Sequence, residues 1–559
     1  MKKLALVTGA ALVALVLASI SAATAVVSPW SSETVLMSKT GNPVELGTPK
    51  VAGSSLVVPY SFRFGNTTFI ANQAISDSST PEVENSNGLS VISRYDLPTL
   101  PTLASAPSGQ IFTVWQETAV RGSSIYVELV ATGFGVIASE LLDTDSCSEG
   151  PSTYPECRRN LGFSAIEAVA VSDTEIALLY KIRTSACRED AILSWVSNPE
   201  EPVITTSTVA SETRASYYCS PTETAALDMK YQLLRGNSGL VFAYWINENS
   251  RNPMYTYWTG LNWSTPSTVT GFGPSQEFVA VNRSANYISL LSQTEDEKLQ
   301  LVDFNINNLL ISPPVFEFNL DYMNGLAVFG ELNTDRLALF IGDTWYSIDS
   351  NNNLATVQKF EYEITSVHQA PSGRFLIETK GPQLSAFASD SRWLWAREFG
   401  KLVKYQIPDD LDEFAMAFEP NGNLAVISKV SSGENDMGEA FNDGLMYSTL
   451  NLAGLPRLEN PWKPNGVAKI GQTLTVSTPI WVSYSKMIGS NSISWLACSK
   501  AVTKSSSSIP TGCTLIRNAS GVGYTVTSAD KGKHITAKVS GTNASGTGLT
   551  VLPSTGPVK

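Results

Sequence analysis

The stretch Asn237–Pro266, NSGLVFAYWINENSRNPMYTYWTGLNWSTP, contains the unit from which most of the chain is built. A turn at Asn237–Gly239 precedes the apolar run Leu240–Trp245, and the polar loop 247–253 separates that run from a second one, Met254–Trp258. Short runs rich in aromatic and β-branched residues, bracketed by turn residues, are typical of antiparallel strands joined by hairpins. The stretch therefore predicts consecutive strands of one small sheet.

Similar units begin at seven places, each with a turn followed by an apolar run. The intervals between successive turns are 64, 65, 47, 49, 39 and 49 residues. Repeats in the forties that hold several strands are typical of β-propeller blades, which bury their faces only by packing against neighbours in a ring. We therefore expect an all-β protein with a propeller of seven blades; six or eight blades remain open, and a set of β-sandwiches is the alternative. The turns lie at residues 109, 173, 238, 285, 334, 373 and 422.

The composition changes around Leu455–Pro461, where two prolines within six residues indicate a linker. The predicted organisation is a propeller over residues 26–455, a linker over 456–461 and a separate domain over 462–559. Ahead of the repeats, Ser55–Phe64 and Thr67–Ile70 flank a Gly-Asn turn and predict a hairpin.

The C-terminal domain has its own motifs. A Trp-x-x-Cys strand at Trp495–Cys498 and a Gly-Cys segment at Gly512–Cys513 flank a serine-rich loop, and a stretch from Tyr524 with an Asp-x-Gly at Asp530–Gly532 follows. This pattern resembles the Ig-like repeat of secreted and cell-surface proteins of actinobacteria. The resemblance covers about 95 residues. It implies a spacer or adhesive module, in which Trp495 is expected to anchor the core of a β-sandwich.

The N-terminus has the pattern of a secretory signal peptide. Met1–Lys3 is basic, Leu4–Ile20 is apolar, and the small residues Ala23–Ala25 form an A-x-A site. We expect cleavage between Ala25 and Val26, with residues 1–25 removed; a membrane anchor is the alternative. The mature chain is then secreted or associated with the cell surface, without a membrane span.

The net charge is −13, and loss of the two lysines of the signal peptide makes it −15. An acidic chain without a basic run repels phosphate backbones, so nucleic acid is not an expected partner.

Six cysteines in an exported chain indicate disulfides rather than metal ligands, because their spacing contains no C-x-x-C. The first four cysteines allow three pairings; we favour the one in which each bond closes within its own repeat unit. A zinc site is not expected, since the chain has only two histidines. The expected pairs are Cys147–Cys157, Cys187–Cys219 and Cys498–Cys513.

Catalytic signatures are scarce. A Ser-His mechanism needs a histidine near the nucleophile, and outside the C-terminal domain only His368 remains, at a strand edge where a structural role is favoured. His534 belongs to the C-terminal domain. A glycosidase or lyase would need two acids, and no pair stands out. The acids considered are Glu361, Glu363, Asp409, Asp410, Asp412 and Glu413.

Two other segments have a functional and a structural interpretation. The acidic segment 433–444 has oxygen ligands for calcium without the spacing of an EF-hand, which favours a plain loop. The aromatic residues Tyr255, Tyr257, Trp258 and Trp263 either form a platform for sugar rings or pack between blades, and packing is favoured. No cofactor is expected beyond this weak calcium candidate.

Leu552–Gly556 spells LPSTG, which matches a sortase motif. Covalent anchoring also needs an apolar segment and a basic tail after the motif, and only Pro557–Lys559 follows. We interpret the match as chance.

The signal peptide, the repeats and the C-terminal resemblance together predict a secreted or cell-surface binding or adhesive protein. Its expected partner is an extracellular protein or a glycan. The alternatives are a propeller-type carbohydrate-active enzyme, either a glycosidase or a lyase, and a structural component of the envelope.

Overall fold

The computed structural model describes residues 34–559 with gaps, the longest of which are 77–90, 145–162, 214–230 and 382–391. Between residues 34 and 450, the described strands form eight antiparallel sheets of four or five strands, and one two-stranded pair at Gly433–Glu434 and Ala440–Phe441. We number these sheets blade 1 to blade 8 in chain order.

The first four blades follow one another along the chain without exchanging strands. Blade 1 comprises Asn42–Leu46, Lys50–Ala52, Ser55–Phe64, Thr67–Ser76 and Val91–Ser93; blade 2 comprises Thr102–Ser105, Ile111–Ala119, Gly122–Val130 and Val136–Thr144; blade 3 comprises Phe163–Ala170, Glu175–Ser185, Arg188–Ser197 and Val203–Thr213; blade 4 comprises Tyr231–Arg235, Val241–Ile246, Pro253–Tyr257 and Ser267–Thr268.

The last blade differs from the others because it takes a strand from the N-terminal part of the chain. Blade 5 comprises Ser275–Asn282, Tyr287–Thr294, Lys298–Asn305, Leu310–Ile311 and Phe316–Asn319; blade 6 comprises Ala327–Gly330, Leu337–Ile341, Thr344–Ile348 and Leu354–Lys359; blade 7 comprises Ile364–Gln369, Phe375–Lys380, Arg392–Glu398 and Lys401–Gln406; blade 8 comprises Phe414–Phe418, Leu424–Val430, Gly444–Leu450 and Thr34–Met37.

The blades form a closed ring, because every blade shares a buried cluster with the next. Phe242 of blade 4, for example, packs edge-on against Phe304 of blade 5 with ring centroids 5.3 Å apart. Blade 8 closes on blade 1, since Ile427 and Leu445 share a cluster with Leu56. The first strands of blades 2 to 6 contact one another in order, as do those of blades 7 and 8, which places them around the axis. The fold is therefore the expected β-propeller.

All seven predicted units are confirmed as strands, and each apolar run is the second strand of its blade. In four of them the turn before this strand ends in a glycine with φ between 87° and 94°. There an amide bonds back to a carbonyl three residues earlier, as in Gly239 N to Gly236 O. This left-handed conformation favours glycine. The four glycines are Gly109, Gly239, Gly373 and Gly422.

The preferred count of seven is one short of the eight sheets. The missed blade is built on the predicted hairpin, which is present with Ser55–Phe64 paired along its length to Thr67–Ser76. Its Gly-Asn turn lies between the second and third strands of the sheet, whereas the seven repeat units begin with a turn before the second strand. The spacing of the repeat units therefore does not include this blade.

The C-terminal unit, residues 462–559 with the strand before it, is also all-β. Its core surrounds Trp495, which is fully buried and donates its indole N–H to the carbonyl of Gly521. Within the expected linker, Arg457–Leu458 pairs with Trp481–Val482. The strands are Arg457–Leu458, Thr473–Thr475, Trp481–Val482, Met487–Cys498, Cys513–Ser520, Gly523–Thr525, His534–Asn543 and Gly546–Val551, with a 3-10 turn at Ser528–Asp530.

The Cys498–Cys513 disulfide is present and links neighbouring strands of the C-terminal unit. The cysteines at 147, 157, 187 and 219 lie outside the described residues, as do the predicted signal peptide and its cleavage site at Ala25 and Val26. In the described part of the chain, no helix is both long and apolar enough to span a membrane.

Candidate ligand cleft between the ring and the C-terminal unit

The C-terminal unit is docked on blades 7 and 8 through polar contacts. Arg374 of blade 7 donates to the carbonyl of Trp481 and forms an ion pair with Glu459 at 2.6 Å. Tyr484 packs in a cluster with the apolar residues of blades 7 and 8. Gly422 approaches the backbone of Ser485 so closely that a Cβ there would lie 2.3 Å from the Ser485 nitrogen. These contacts fix the unit against one edge of the ring.

A cleft of about 790 Å³ lies beside this contact, between blade 7, the connecting segment and the C-terminal unit. Its size is in the usual range for small-ligand sites. Its lining combines apolar side chains with several hydroxyl groups. The lining comprises Glu398, Phe399 and Tyr405 from blade 7, residues 451–458 and Pro461 from the connecting segment, and Val482–Tyr484, Ser505–Ser507 and Thr547–Thr550 from the C-terminal unit.

Phe399 is the most unusual residue of the cleft. It lies in the hairpin turn between Arg392–Glu398 and Lys401–Gln406, and its φ is 51°. Two-residue hairpin turns need positive φ and therefore favour Asn, Asp or Gly. A phenylalanine in this conformation costs about 1–2 kcal/mol. The ring is also 41 % exposed, so burial does not offset this cost in full.

A charged cluster adjoins the aromatic ring. The Arg457 guanidinium lies over the Phe399 ring, 4.9 Å from its centroid, and forms an ion pair with Glu398 at 3.1 Å. Tyr484 donates its hydroxyl proton to the other oxygen of Glu398 at 2.8 Å. Burial, followed by the charge of Glu398, raises the pKa of Tyr405 to about 12, so its hydroxyl is protonated at neutral pH. Glu398 is the one acid among the described residues that line the cleft.

The axis of the ring is a second place where ligands bind in propellers, but three of the described polar side chains there bond to protein backbone. Gln232 accepts from the amide of Ala280 and donates to its carbonyl, each at 2.7 Å. Asn282 donates to the carbonyl of Arg235, and Gln369 to that of Gly330. These side chains satisfy the backbone groups of neighbouring first strands. They therefore hold the ring together at its centre.

Glu167 is the acidic member of this axial set. Its carboxylate accepts the amide proton of Leu233 in the next blade. Burial raises the pKa of Glu167 to about 7, although the hydrogen bond from Leu233 acts in the opposite direction. The carboxyl group therefore titrates near neutral pH.

We expect the Glu167→Gln variant to lose pH dependence of stability between pH 5 and 8. The pKa of Glu167 is higher in the folded protein than in the unfolded chain. The carboxyl group therefore stabilises the wild type at pH values below its unfolded-state pKa. That contribution, about 3 kcal/mol, is lost as the pH rises through 7. Denaturant unfolding at several pH values measures the slope, with the exposed Glu361→Gln as control. An unchanged slope in the Glu167 variant would contradict this assignment.

His368 lies in a Ser-His-Glu cluster whose hydrogen bonds run in the wrong direction for nucleophilic catalysis. Ser366 donates its one hydroxyl proton to Glu378 at 2.6 Å. His368 Nε2 lies 2.8 Å from the hydroxyl oxygen of Ser366. Because that hydroxyl has already donated its proton, His368 is the donor in this pair. Burial lowers the pKa of His368 to about 4, which leaves the ring neutral. The imidazole thus holds Ser366 instead of taking its proton.

The other histidine and the LPSTG segment are tied into the C-terminal unit. His534 Nδ1 lies 2.9 Å from the carbonyl oxygen of Thr555 and donates to it. Leu552 and Thr555 are buried, and the amide of Ser554 bonds to the carbonyl of Val502. The motif therefore forms part of a packed edge of the unit.

The predicted acidic candidates are not brought together in the described residues. Glu361 and Glu363 are exposed in the turn that connects blades 6 and 7, and Tyr362 donates to Glu361. The acids at 409, 410, 412 and 413 lie outside the described residues. In the calcium candidate, Gly433–Glu434 pairs with Ala440–Phe441, while 435–439 and 442–443 lie outside the described residues.

The aromatic residues of the opening stretch pack between blades, as favoured from the sequence. Trp258 stacks on Trp195 of blade 3 with centroids 4.4 Å apart, and Trp263 meets the same ring edge-on. On the other face, Tyr255 contacts Phe304 of blade 5. These contacts stabilise the ring on both sides of blade 4.

No protein-family model matches the chain, and no curated protein matches it. Among solved structures, prolyl oligopeptidase B from Galerina marginata is 11 % identical with a TM-score of 0.39, over 71 % of this chain and 54 % of that one. A puromycin-hydrolyzing peptidase of Mycobacterium tuberculosis is 11 % identical with a TM-score of 0.35, over 71 % and 60 %. A copper-bound fungal alcohol oxidase of the AA5 family is also 11 % identical, with a TM-score of 0.36 over 94 % and 99 %. The chain spans about half the length of the oligopeptidase.

Proposed function

We propose that the protein is an exported binding or adhesive protein that holds a glycan in the cleft between the ring and the C-terminal unit. The signal-peptide pattern of residues 1–25 supports export. The resemblance of residues 462–559 to an actinobacterial Ig-like repeat supports a place at the cell surface. The observation that carries the proposal is the exposed Phe399 in its strained turn, because such strain is concentrated at functional sites.

The chemistry of the cleft fits a sugar chain. A flat aromatic face stacks on the apolar face of a sugar ring, and the Arg457–Glu398 pair offers a charged donor and an acceptor beside it. The lining also includes Ser505, Ser507 and Thr547, all of which are exposed. Hydroxyl groups both donate and accept, as a polyhydroxylated ligand requires.

We expect Phe399→Asn to weaken glycan binding at least tenfold without loss of stability. Asparagine tolerates the left-handed conformation, so the free energy of unfolding should be unchanged or higher by about 1 kcal/mol. A glycan array and polysaccharide extracted from the envelope of the producing cell serve as probes, and denaturant unfolding gives the stability.

Leu261→Asn is the matched control, since Leu261 is an apolar residue in a turn of blade 4 and is 84 % exposed. It should bind as the wild type does. The proposal would be overturned if the wild type captured no glycan, or if both variants bound equally well.

A further inference from the structure

The charge of the chain is divided unevenly between its two parts. Residues 462–559 contain ten basic side chains and a single acidic one, a net charge of +9, while residues 1–461 carry −22. The C-terminal unit is therefore strongly cationic in a protein that is acidic as a whole. Nine of its ten basic side chains are lysines.

The single acid of the C-terminal unit does not reduce the surface charge locally. Asp530 is 3 % exposed, and its carboxylate accepts from the Tyr524 hydroxyl, the Thr527 amide and the Thr527 hydroxyl. Nine of the basic residues are exposed and the tenth, Lys538, is partly buried. The surface of the unit thus presents cations without an exposed carboxylate side chain among residues 462–559.

The densest group of lysines lies at the end of the unit farthest from the ring. The strand His534–Asn543 begins at this end and reaches the connecting segment next to the ring at Asn543, which donates to the carbonyl of Gly454. Ten residues of strand span about 30 Å. Lys531 and Lys533 immediately precede this strand, so they lie at its far end.

Backbone hydrogen bonds place two further lysines, Lys469 and Lys559, at this end of the unit. The Val558 amide bonds to the Lys533 carbonyl, and the Lys559 amide bonds to the Ala468 carbonyl next to Lys469. We call the group of Lys469, Lys531, Lys533 and Lys559 the distal lysine cluster. Lys500 follows Cys498, which pairs with His534 at the same end.

We propose that the C-terminal unit binds a linear polyanion through the distal lysine cluster. Lysines are hydrated point charges on flexible stems, whereas arginines form fixed bidentate pairs. A lysine surface therefore recognises the charge density of a polymer rather than one anion in a fixed pose. Without the signal peptide, residues 26–461 carry −24, so the ring repels the same polymer and is held away from it. This site is separate from the cleft and does not depend on its ligand.

The distribution of charge favours a polymer over a flat membrane. Besides the distal lysine cluster, Arg517 lies on the edge strand Cys513–Ser520, and Lys538 lies on the inner strand His534–Asn543, beside the other edge strand. A bilayer contacts one face, while a flexible chain follows charges from the tip along the sides.

The test compares the full chain without residues 1–25 with a Lys469→Gln, Lys531→Gln and Lys533→Gln triple variant. Long-chain inorganic polyphosphate and alginate are the polymer probes, and phosphatidylglycerol vesicles represent a lipid source. We expect the wild type to bind a polymer with steep salt dependence. The triple variant should bind about tenfold or more weakly, and the slope of log affinity against log salt should fall by about 2.

The matched control replaces three exposed lysines of the ring, Lys50, Lys359 and Lys380, with glutamine and changes the net charge equally. It should bind as the wild type does. Binding to vesicles but not to either polymer, equal losses in both triple variants, or salt-sensitive self-association without polymer binding would overturn the proposal. Because neither variant touches the cleft, glycan binding should be unchanged in both.

Discussion

Deletion of the strand Thr34–Met37 is expected to open the ring and destabilise the protein by roughly 3–5 kcal/mol. This strand completes blade 8 by pairing with Gly444–Leu450, with Thr34 opposite Tyr447 and Met37 opposite Leu445. The ring is thus fastened by its first described strand and its last. Each lost backbone hydrogen bond costs about 1 kcal/mol, and the new edge exposes pairing groups to other chains.

The denaturant midpoint measures the effect of the deletion on stability, and light scattering measures its effect on association. We expect an earlier unfolding transition and concentration-dependent association. Replacement of Leu261 by alanine, at a position that is 84 % exposed in a turn of blade 4, is the control and should leave both unchanged. An unaltered midpoint for the strand deletion would show that the ring does not need this closure.

Replacement of Arg283 by alanine is expected to cost about 3–5 kcal/mol, because it breaks a buried ion pair from one side. The arginine is 5 % exposed and binds Asp303 of its own blade at 2.7 Å. It also donates to the carbonyl of Asp335 and to the side chain of Asn352, which belong to blade 6. One guanidinium therefore joins blades 5 and 6.

Unfolding free energies of three variants test this role. Arg283→Lys should recover little of the lost free energy of unfolding, since one ammonium group cannot reach all the acceptors arranged around the planar guanidinium. Lys359→Ala removes an exposed ion pair with Asp343 and should change stability by less than about 1 kcal/mol. Equal effects of Arg283→Ala and Lys359→Ala would contradict the bridging role.

The architecture could be predicted because local turn chemistry repeats along the chain. The glycine turns and the apolar runs after them are visible in the sequence, and the same residues form the second strands of the blades. The closing strand Thr34–Met37 could not be found in this way. It pairs with residues more than 400 positions away, and such a partner has no local signal.

The cleft could not be predicted from the sequence for a related reason. Phe399, Arg457 and Ser505 come from three separate segments, and only the docking of the C-terminal unit brings them together. One signal was present: phenylalanine occupies a hairpin turn position that favours Asn, Asp or Gly. The net charge of the whole chain also concealed the cationic C-terminal unit. The acidic residues of the ring outnumber the lysines of the C-terminal unit, so the sum is negative.

Hydrogen–deuterium exchange with and without the captured envelope polysaccharide tests the ligand cleft most directly. We expect slower amide exchange at 398–406, 451–458, 505–507 and 547–550 in the wild type and no such change in Phe399→Asn. Protection confined to the axial first strands, such as Phe163–Ala170 and Tyr231–Arg235, would place the ligand in the ring and contradict the account.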